Sequence, residues 1–261
     1  MVKSTYNFAL ATTEQAGNLL QKKILFLVVG STEQHGPHLP LSVDCDIPQS
    51  ICEELGIRLE GLVGPAIPYG ARSLPQSGGG AGFPGTIHVR GSTLIQYLYD
   101  VIRSYVASGA RRIVVVNGHY ENEGLIFEAV DLLREERVLD SVSLVALSWW
   151  SVLDTSFVAT VFGNSFVGWH AEHASLVETS LMLFLKPSST HDIRVDHPTP
   201  PEAGILFHPV DPQSISCRGV LHRTSEASAE HGRILFQRIT DELAARITKH
   251  MGVSPQPEGK D

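Results

Sequence analysis

Apolar runs of strand length alternate along this chain with stretches of helical period. "KKILFLVVG" (22–30) is a continuous apolar run that predicts a buried strand, "IPQSICEELGIRL" (47–59) a helix, and "GLVGPAIPYG" (61–70) a second strand. "STLIQYLYDVIRSYVASG" (92–109) spaces its apolar positions three and four apart and stops at a glycine, which predicts a helix. The β-branched run "RRIVVVNG" (111–118) follows as a strand, then "EGLIFEAVDLLREER" (123–137) as an amphipathic helix and "VSLVALSWW" (142–150) as a strand. A long closing helix is predicted over 226–251, and no fixed-period repeat is present. The alternating order predicts a three-layer α/β/α fold with a mostly parallel central sheet, as one domain over 1–261 with flexible ends from about residue 253.

The connection "GARSLPQSGGGAGFPGTIHVRG" (70–91) is too long and too rich in Gly, Pro and Ser for a simple link, and is expected to cover a substrate. Gly80, Gly82 and Gly85 satisfy G-x-G-x-x-G, but no strand leads into them, Pro84 interrupts them and no helix opens at the last glycine. A dinucleotide site is therefore excluded.

Candidate chemistry gathers just beyond two of the strands. Glu33 and His35 follow the first strand two residues apart, and in extended backbone alternate side chains point the same way. His119 and Glu121 repeat the spacing after the 111–118 strand. Ligands bind at the carboxyl ends of parallel strands, so both pairs would face one crevice, with Asp44 at the end of the first loop as a fifth candidate. Five ligands are too many for one tetrahedral ion with an open position but suit two ions sharing a carboxylate. Three carboxylates and a hydroxide would neutralise two divalent ions. Farther on, "GWHAEHASLVETS" (168–180) carries His170, Glu172, His173 and Glu178. Glu172 and His173 are adjacent, so one helix face cannot make both of them ligands, and they read as a proton-transfer pair. By spacing alone Trp149, Trp150 and Trp169 read as core.

Composition narrows the partners. The chain has 261 residues and a net charge of -8, with no run of basic residues longer than a pair, so the footprint of a nucleic-acid binder is missing and a small molecule is the expected partner. No apolar stretch approaches the roughly 20 residues of a membrane span, and the opening "MVKSTYNFALATTEQAG" lacks a long apolar core, so a cytoplasmic enzyme is expected. Cys45, Cys52 and Cys217 form no C-x-x-C pair and read as small buried thiols, with Cys45 packing beside Asp44 rather than ligating.

Together, "GSTEQHGPHLPLSVD", "SGGGAGFPGT", "NGHYEN" and "GWHAEHASLVETS" resemble the creatininase (creatinine amidohydrolase) family over nearly the whole chain and in the same order. "NGHYEN" in particular is similar to the creatinine-hydrolysing members, where most relatives have Gly-Gly after "NGH". The resemblance implies a creatininase-like fold and one ion held by Glu33, Asp44 and His119, with a second held by His35, Asp44 and Glu121. Zinc is implied, with manganese replacing it at one position. It further implies Ser77, Tyr120, Trp150, Trp169 and Glu172 around the substrate, His173 as proton shuttle, and a homohexamer. The implied reaction is ring-opening hydrolysis of a cyclic amide, creatinine to creatine. One position departs: creatinine-hydrolysing relatives have Asp directly after the second tryptophan, where this chain has His170. Another small cyclic amide, a formamide, a peptide or a cyclic polyol ketone is the alternative substrate, and a non-catalytic ligand-binding subunit is the alternative of another class.

Overall fold

The structure is a computed structural model that describes residues 6–78, 80–210, 216 and 218–253. Cys217 and the ends beyond residue 253 lie outside the described residues. In chain order the elements are β1 (Tyr6–Asn7), α1 (Thr13–Lys22), β2 (Leu25–Val29), α2 (Val43–Arg58), β3 (Leu62–Val63), α3 (Pro75–Gly78), α4 (Gly91–Ala107), β4 (Arg112–Asn117), α5 (Glu123–Glu135), β5 (Ser143–Ser148), α6 (Thr155–Phe162), α7 (Leu176–Leu185) and α8 (Ala229–Met251).

The strands form one sheet in the order β1-β3-β2-β4-β5, and every pairing is parallel. Alternate residues serve opposite faces, as the period of a strand requires. Phe26, Val28, Val114 and Val116 pack with α2, α6, α7 and α8, while Leu25, Leu27, Ile113 and Val115 pack with α1, α4 and α5. Both faces are therefore buried, which is why β2 and β4 read as unbroken apolar runs rather than alternating ones.

Register decides where the chemistry lands. Val29 pairs with Asn117 and Asn117 with Ser148, so β2, β4 and β5 end level with one another. The segments after residues 29, 117 and 148 thus emerge side by side at the carboxyl edge of the sheet, the position that open α/β sheets use for ligands.

Two predicted boundaries shift for identifiable reasons. The 61–70 strand shrinks to Leu62–Val63 because Pro65 and Pro68 cannot donate to a ladder, and Ile67 alone rejoins it, donating to Val28 and accepting from Gly30. The 47–59 helix instead starts at Val43, which moves Asp44 from the loop into its first turn. A carboxylate is favoured there by the partial positive charge of a helix N-terminus.

Pro48 sits inside α2 and has no N–H to give the Asp44 carbonyl. The ends of β2 and β4 close on that carbonyl instead. A Cβ on Gly30 would stand 2.5 Å from the Asp44 oxygen, and one on Gly118 would collide with the same atom. Both glycines are demanded by this close approach.

The 70–91 segment folds over the sheet edge through α3, a short 3₁₀ turn at Gly80–Gly82, and bridges from Ile87 to Thr32 and from Val89 to Ala71. α4 opens only at Gly91, so no helix starts at Gly85, the last glycine of the G-x-G-x-x-G match. Among the described residues, no helix is long and apolar enough to cross a membrane.

Candidate metal centre

Five buried ionisable side chains meet at the level edge of the sheet. Glu33 and His35 leave the end of β2, Asp44 comes from the first turn of α2, His119 from the end of β4, and Glu178 from the first turn of α7. The His119 Nδ1 atom lies 3.2 Å from Glu33 Oε1 and 3.1 Å from Asp44 Oδ2. On the other side, His35 Nε2 lies 3.2 Å from Asp44 Oδ1 and 3.6 Å from Glu178 Oε2. Asp44 thus offers one oxygen to each of two groups of metal-capable atoms, Glu33–Asp44–His119 and His35–Asp44–Glu178, each within 4.8 Å of one another. A carboxylate shared in this way is how two ions are bridged.

The ring orientations fit the same reading. His35 Nδ1 donates to the Glu33 carbonyl at 3.2 Å, and His119 Nε2 donates to the Ala71 carbonyl at 3.0 Å. Each imidazole is then left with a bare nitrogen aimed into the cluster, which is the outer hydrogen-bond pattern of metal-ligating histidines. Glu33 Oε2, His35 Nε2 and Asp44 Oδ2 are buried without a hydrogen-bond partner among the described residues. Orphaned acceptors of this kind in a buried site fit two divalent cations, which would satisfy all three.

Electrostatics in the metal-free state agrees. Burial alone would push the His35 imidazolium down, but Asp44 and Glu178 outweigh it and raise the ring to about 10. His119 is likewise raised well above its usual value: burial opposes the shift, and Glu33 and Asp44 drive it. Burial pushes the Glu33 carboxyl up, yet His119 and His173 hold it well below the usual carboxylate range. Protons therefore occupy near neutral pH the places that cations would take. Metal loading at pH 7 is expected to release protons, and affinity to rise with pH until His35 is deprotonated near pH 10. Calorimetry in buffers of different ionisation enthalpy measures the release, and a buffer-independent heat would contradict it. The His35 contribution to stability of the metal-free protein has the matching sign, fully present below about pH 6.5 and lost as pH rises through about 10.

In the metal-free arrangement the side chain beside His35 and Asp44 is Glu178, and Glu121, which the family resemblance implies at that ion, points elsewhere. Tyr120–Asn122 forms a 3₁₀ turn, so the alternation of extended backbone that pairs Glu33 with His35 does not apply to His119 and Glu121. Glu121 Oε2 lies instead 3.2 Å from the far nitrogen of His119, while Oε1 accepts from the Leu74 N–H at 3.1 Å and from the Ser77 hydroxyl. Glu121 and Ser77 thus tie the covering segment to the His119 ring.

Glu172 and His173 also separate. Glu172 Oε2 accepts from the Val177 N–H at 2.8 Å and so caps α7, while its Oε1 is left unpartnered; burial raises this carboxyl well above its usual value. The neighbours of His173 are Glu33, 3.3 Å from Nδ1, and Gln34, 2.8 Å from Nε2. Adjacent residues leave the chain in different directions here, with Ala174 at φ +53 turning the backbone.

Over the cluster lies an aromatic wall. The Trp150 and Trp169 rings are 6.5 Å apart and tilted by 32°, Tyr120 stacks on Trp150 at 6.3 Å, and Trp149 meets both tryptophans edge-on. These four rings, with Ser77, His170, Glu172, His173 and the carboxylates, line a cavity with about 40 Å³ of free volume. Trp149 is core, as spacing indicated, but Trp150 and Trp169 are only partly buried and face the cavity. Cys45 lies outside both ligand groups; burial together with Asp44 and Asp46 pushes its thiol up to about 12, and it packs beside Gly30.

The place of Glu178 in the cluster and the contact of Gln34 with His173 were not read from the sequence. Glu178 is the single charged side chain in the apolar helix "LVETSLMLFL", a signal that was available. Gln34 is visible only in three dimensions.

The family model described as creatinine amidohydrolase matches residues 9–247. The chain belongs to the creatininase family. It is 39% identical over 229 residues to a creatinine amidohydrolase of Pseudomonas putida, covering 86% of this chain and 88% of that protein. It is 32% identical over 258 residues to the mycofactocin precursor peptide peptidase of Mycobacterium tuberculosis, covering 90% and 87%. A solved creatininase structure described with manganese has the same fold, with TM-score 0.87, 36% identity and 95% and 98% of the two chains covered. A creatininase variant described as a zinc–zinc type matches with the same TM-score at 35% identity. The chain is an enzyme of this amidohydrolase family.

Proposed function

We propose that this chain hydrolyses a small cyclic amide, creatinine to creatine, at a pair of divalent cations, zinc or manganese. Glu33, Asp44 and His119 would hold one ion and His35, Asp44 and Glu178 the other, with Glu121 steadying His119 from behind. When bound, the two cations supply a nucleophile at neutral pH and Lewis acidity toward a carbonyl.

The remaining work belongs to the chain. His173 presents Nδ1 to the ligand cluster, 3.3 Å from Glu33, and would pass its Nδ1 proton to the departing ring nitrogen while a proton of the attacking water is returned to the ring through Glu33. An amide nitrogen leaves only when protonated, so this transfer is as necessary as the attack. Trp150 and Trp169 would clamp the flat ring and exclude water. A ring between two others needs about 7 Å, twice the carbon contact distance, so a 6.5 Å gap opens by about half an ångström on binding. A cationic guanidinium-like ring would gain further from their π faces.

The observation that carries this reading is the tryptophan pair opening directly onto the carboxylate–imidazole cluster. Turnover of creatinine with zinc or manganese added is its test. No turnover by protein carrying two metal equivalents would discard creatinine, and metal-free, inactive protein would leave a ligand-binding subunit.

His170 favours a second reading, in which the same centre cleaves a different amide, as the peptidase named above does a peptide. Neutral His accepts through one nitrogen where Asp would attract a cationic ring. His170→Asp is expected to lower the KM for creatinine by about ten- to a hundred-fold, the worth of a charge-assisted hydrogen bond, with metal content unchanged. No gain in steady-state assays would count for the second reading. Self-assembly into a homohexamer is part of the proposal and is read by sedimentation.

A further inference from the structure

We propose that Gln34 dictates which nitrogen of His173 carries the proton, holding Nδ1–H toward the reacting centre and Nε2 bare. The amide of Gln34 is buried and cannot turn over. Its Oε1 accepts from the Gly36 N–H at 2.9 Å, and its Nε2 donates to the carbonyls of Gly78 at 2.7 Å and Gly219 at 3.0 Å. Reversing the amide would set oxygen against two carbonyl oxygens and nitrogen against an N–H. The NH₂ end is therefore the one that faces His173 Nε2 across 2.8 Å.

An NH₂ group cannot accept a hydrogen bond. A proton on His173 Nε2 would point at another proton and find no acceptor, so the neutral ring keeps its proton on Nδ1, where Glu33 Oε1 lies 3.3 Å away. The two amide protons are shared among three acceptors, an arrangement that persists because those acceptors come from three separate segments closing on one point. Gly219 shows how tight the closure is. Its backbone is left-handed at φ +74, and a Cβ there would collide with Gln34 Oε1. Gln34 touches neither substrate nor ligand atoms in this arrangement, so it is a positioning residue.

The catalytic consequence rests on the reading of His173 as proton carrier, but the tautomer is measurable without any substrate. The experiment is long-range proton–nitrogen NMR on zinc-loaded protein labelled with ¹⁵N-histidine, the His173 signals being identified by their loss in His173→Ala. The native protein is expected to show His173 bare at Nε2, and Gln34→Leu to show a mixture of tautomers. The same variant should keep two zinc equivalents and lose about 10- to 100-fold in kcat, the usual cost of removing a group that orients a working side chain, with KM changed less than about three-fold. A proton on Nε2 of native His173 overturns the proposal, and that measurement needs no variant to fold. So does an unchanged tautomer in Gln34→Leu. A shifted tautomer with unchanged turnover would uphold the role of Gln34 and remove His173 from the proton path.

Discussion

Asp44→Asn is expected to strip both cations and cost on the order of 10⁴-fold or more in turnover, because a bound cation lowers the pKa of water from about 15.7 to about 7 and that gain is lost with it. Asp44 is the one side chain common to both groups, with Oδ2 3.1 Å from His119 and Oδ1 3.2 Å from His35. The amide keeps the shape but replaces one anionic oxygen with a donor that would face an imidazole or a cation. Two further variants give the result its meaning. Glu178→Gln should lose one equivalent, the one it shares with His35, and Glu121→Gln should keep both and weaken binding modestly through His119. Metal analysis after gel filtration reads all three. Two equivalents retained by Glu178→Gln, with one lost from Glu121→Gln, would restore the ligand set that family resemblance implied.

His173→Ala should do the opposite, holding two equivalents while kcat falls by about 10² to 10⁴, the range for a general acid–base residue. The ring is 4.3 Å from that of His35 and its Nδ1 is 3.3 Å from Glu33, close enough to exchange protons with the cluster. His173 also belongs to a third metal-capable group with Glu33 and His35. Metal content is therefore the deciding measurement: loss of an equivalent would make His173 a ligand, and retained activity would end its role in proton transfer. Single-turnover rates place the defect in the chemical step if KM stays near its native value.

Much of this architecture is legible in the chain because burial on both faces writes β2 and β4 as unbroken apolar runs, and level strand ends then gather whatever follows them. Glu33, His35 and His119 could be found that way. The metal-free orientation of Glu121 was not legible, since the pairing argument assumes extended backbone and the chain turns into a 3₁₀ helix at Tyr120. The start of α2 at Val43 was hidden by Pro48, which looks like a helix start and sits six residues inside. Glu178 was recognised as acidic but not as a neighbour of His35, because the two are far apart in sequence. Gln34 left no trace: its partners Gly36, Gly78, Gly219 and His173 come from four places, and no periodicity encodes such a meeting.

The approach of Gly30 and Gly118 to the Asp44 carbonyl bears on which metals the centre accepts. Asp44 rides on a helical turn closely approached by two strand ends, whereas Glu33 and His35 hang from irregular backbone and Glu178 from a different helix. A larger cation would then be accommodated by the side chains of Glu33, His35 or Glu178 rather than by Asp44. Replacement of one metal would leave the shared Asp44 in place, and mixed occupancy is the expected outcome where zinc and manganese are both supplied.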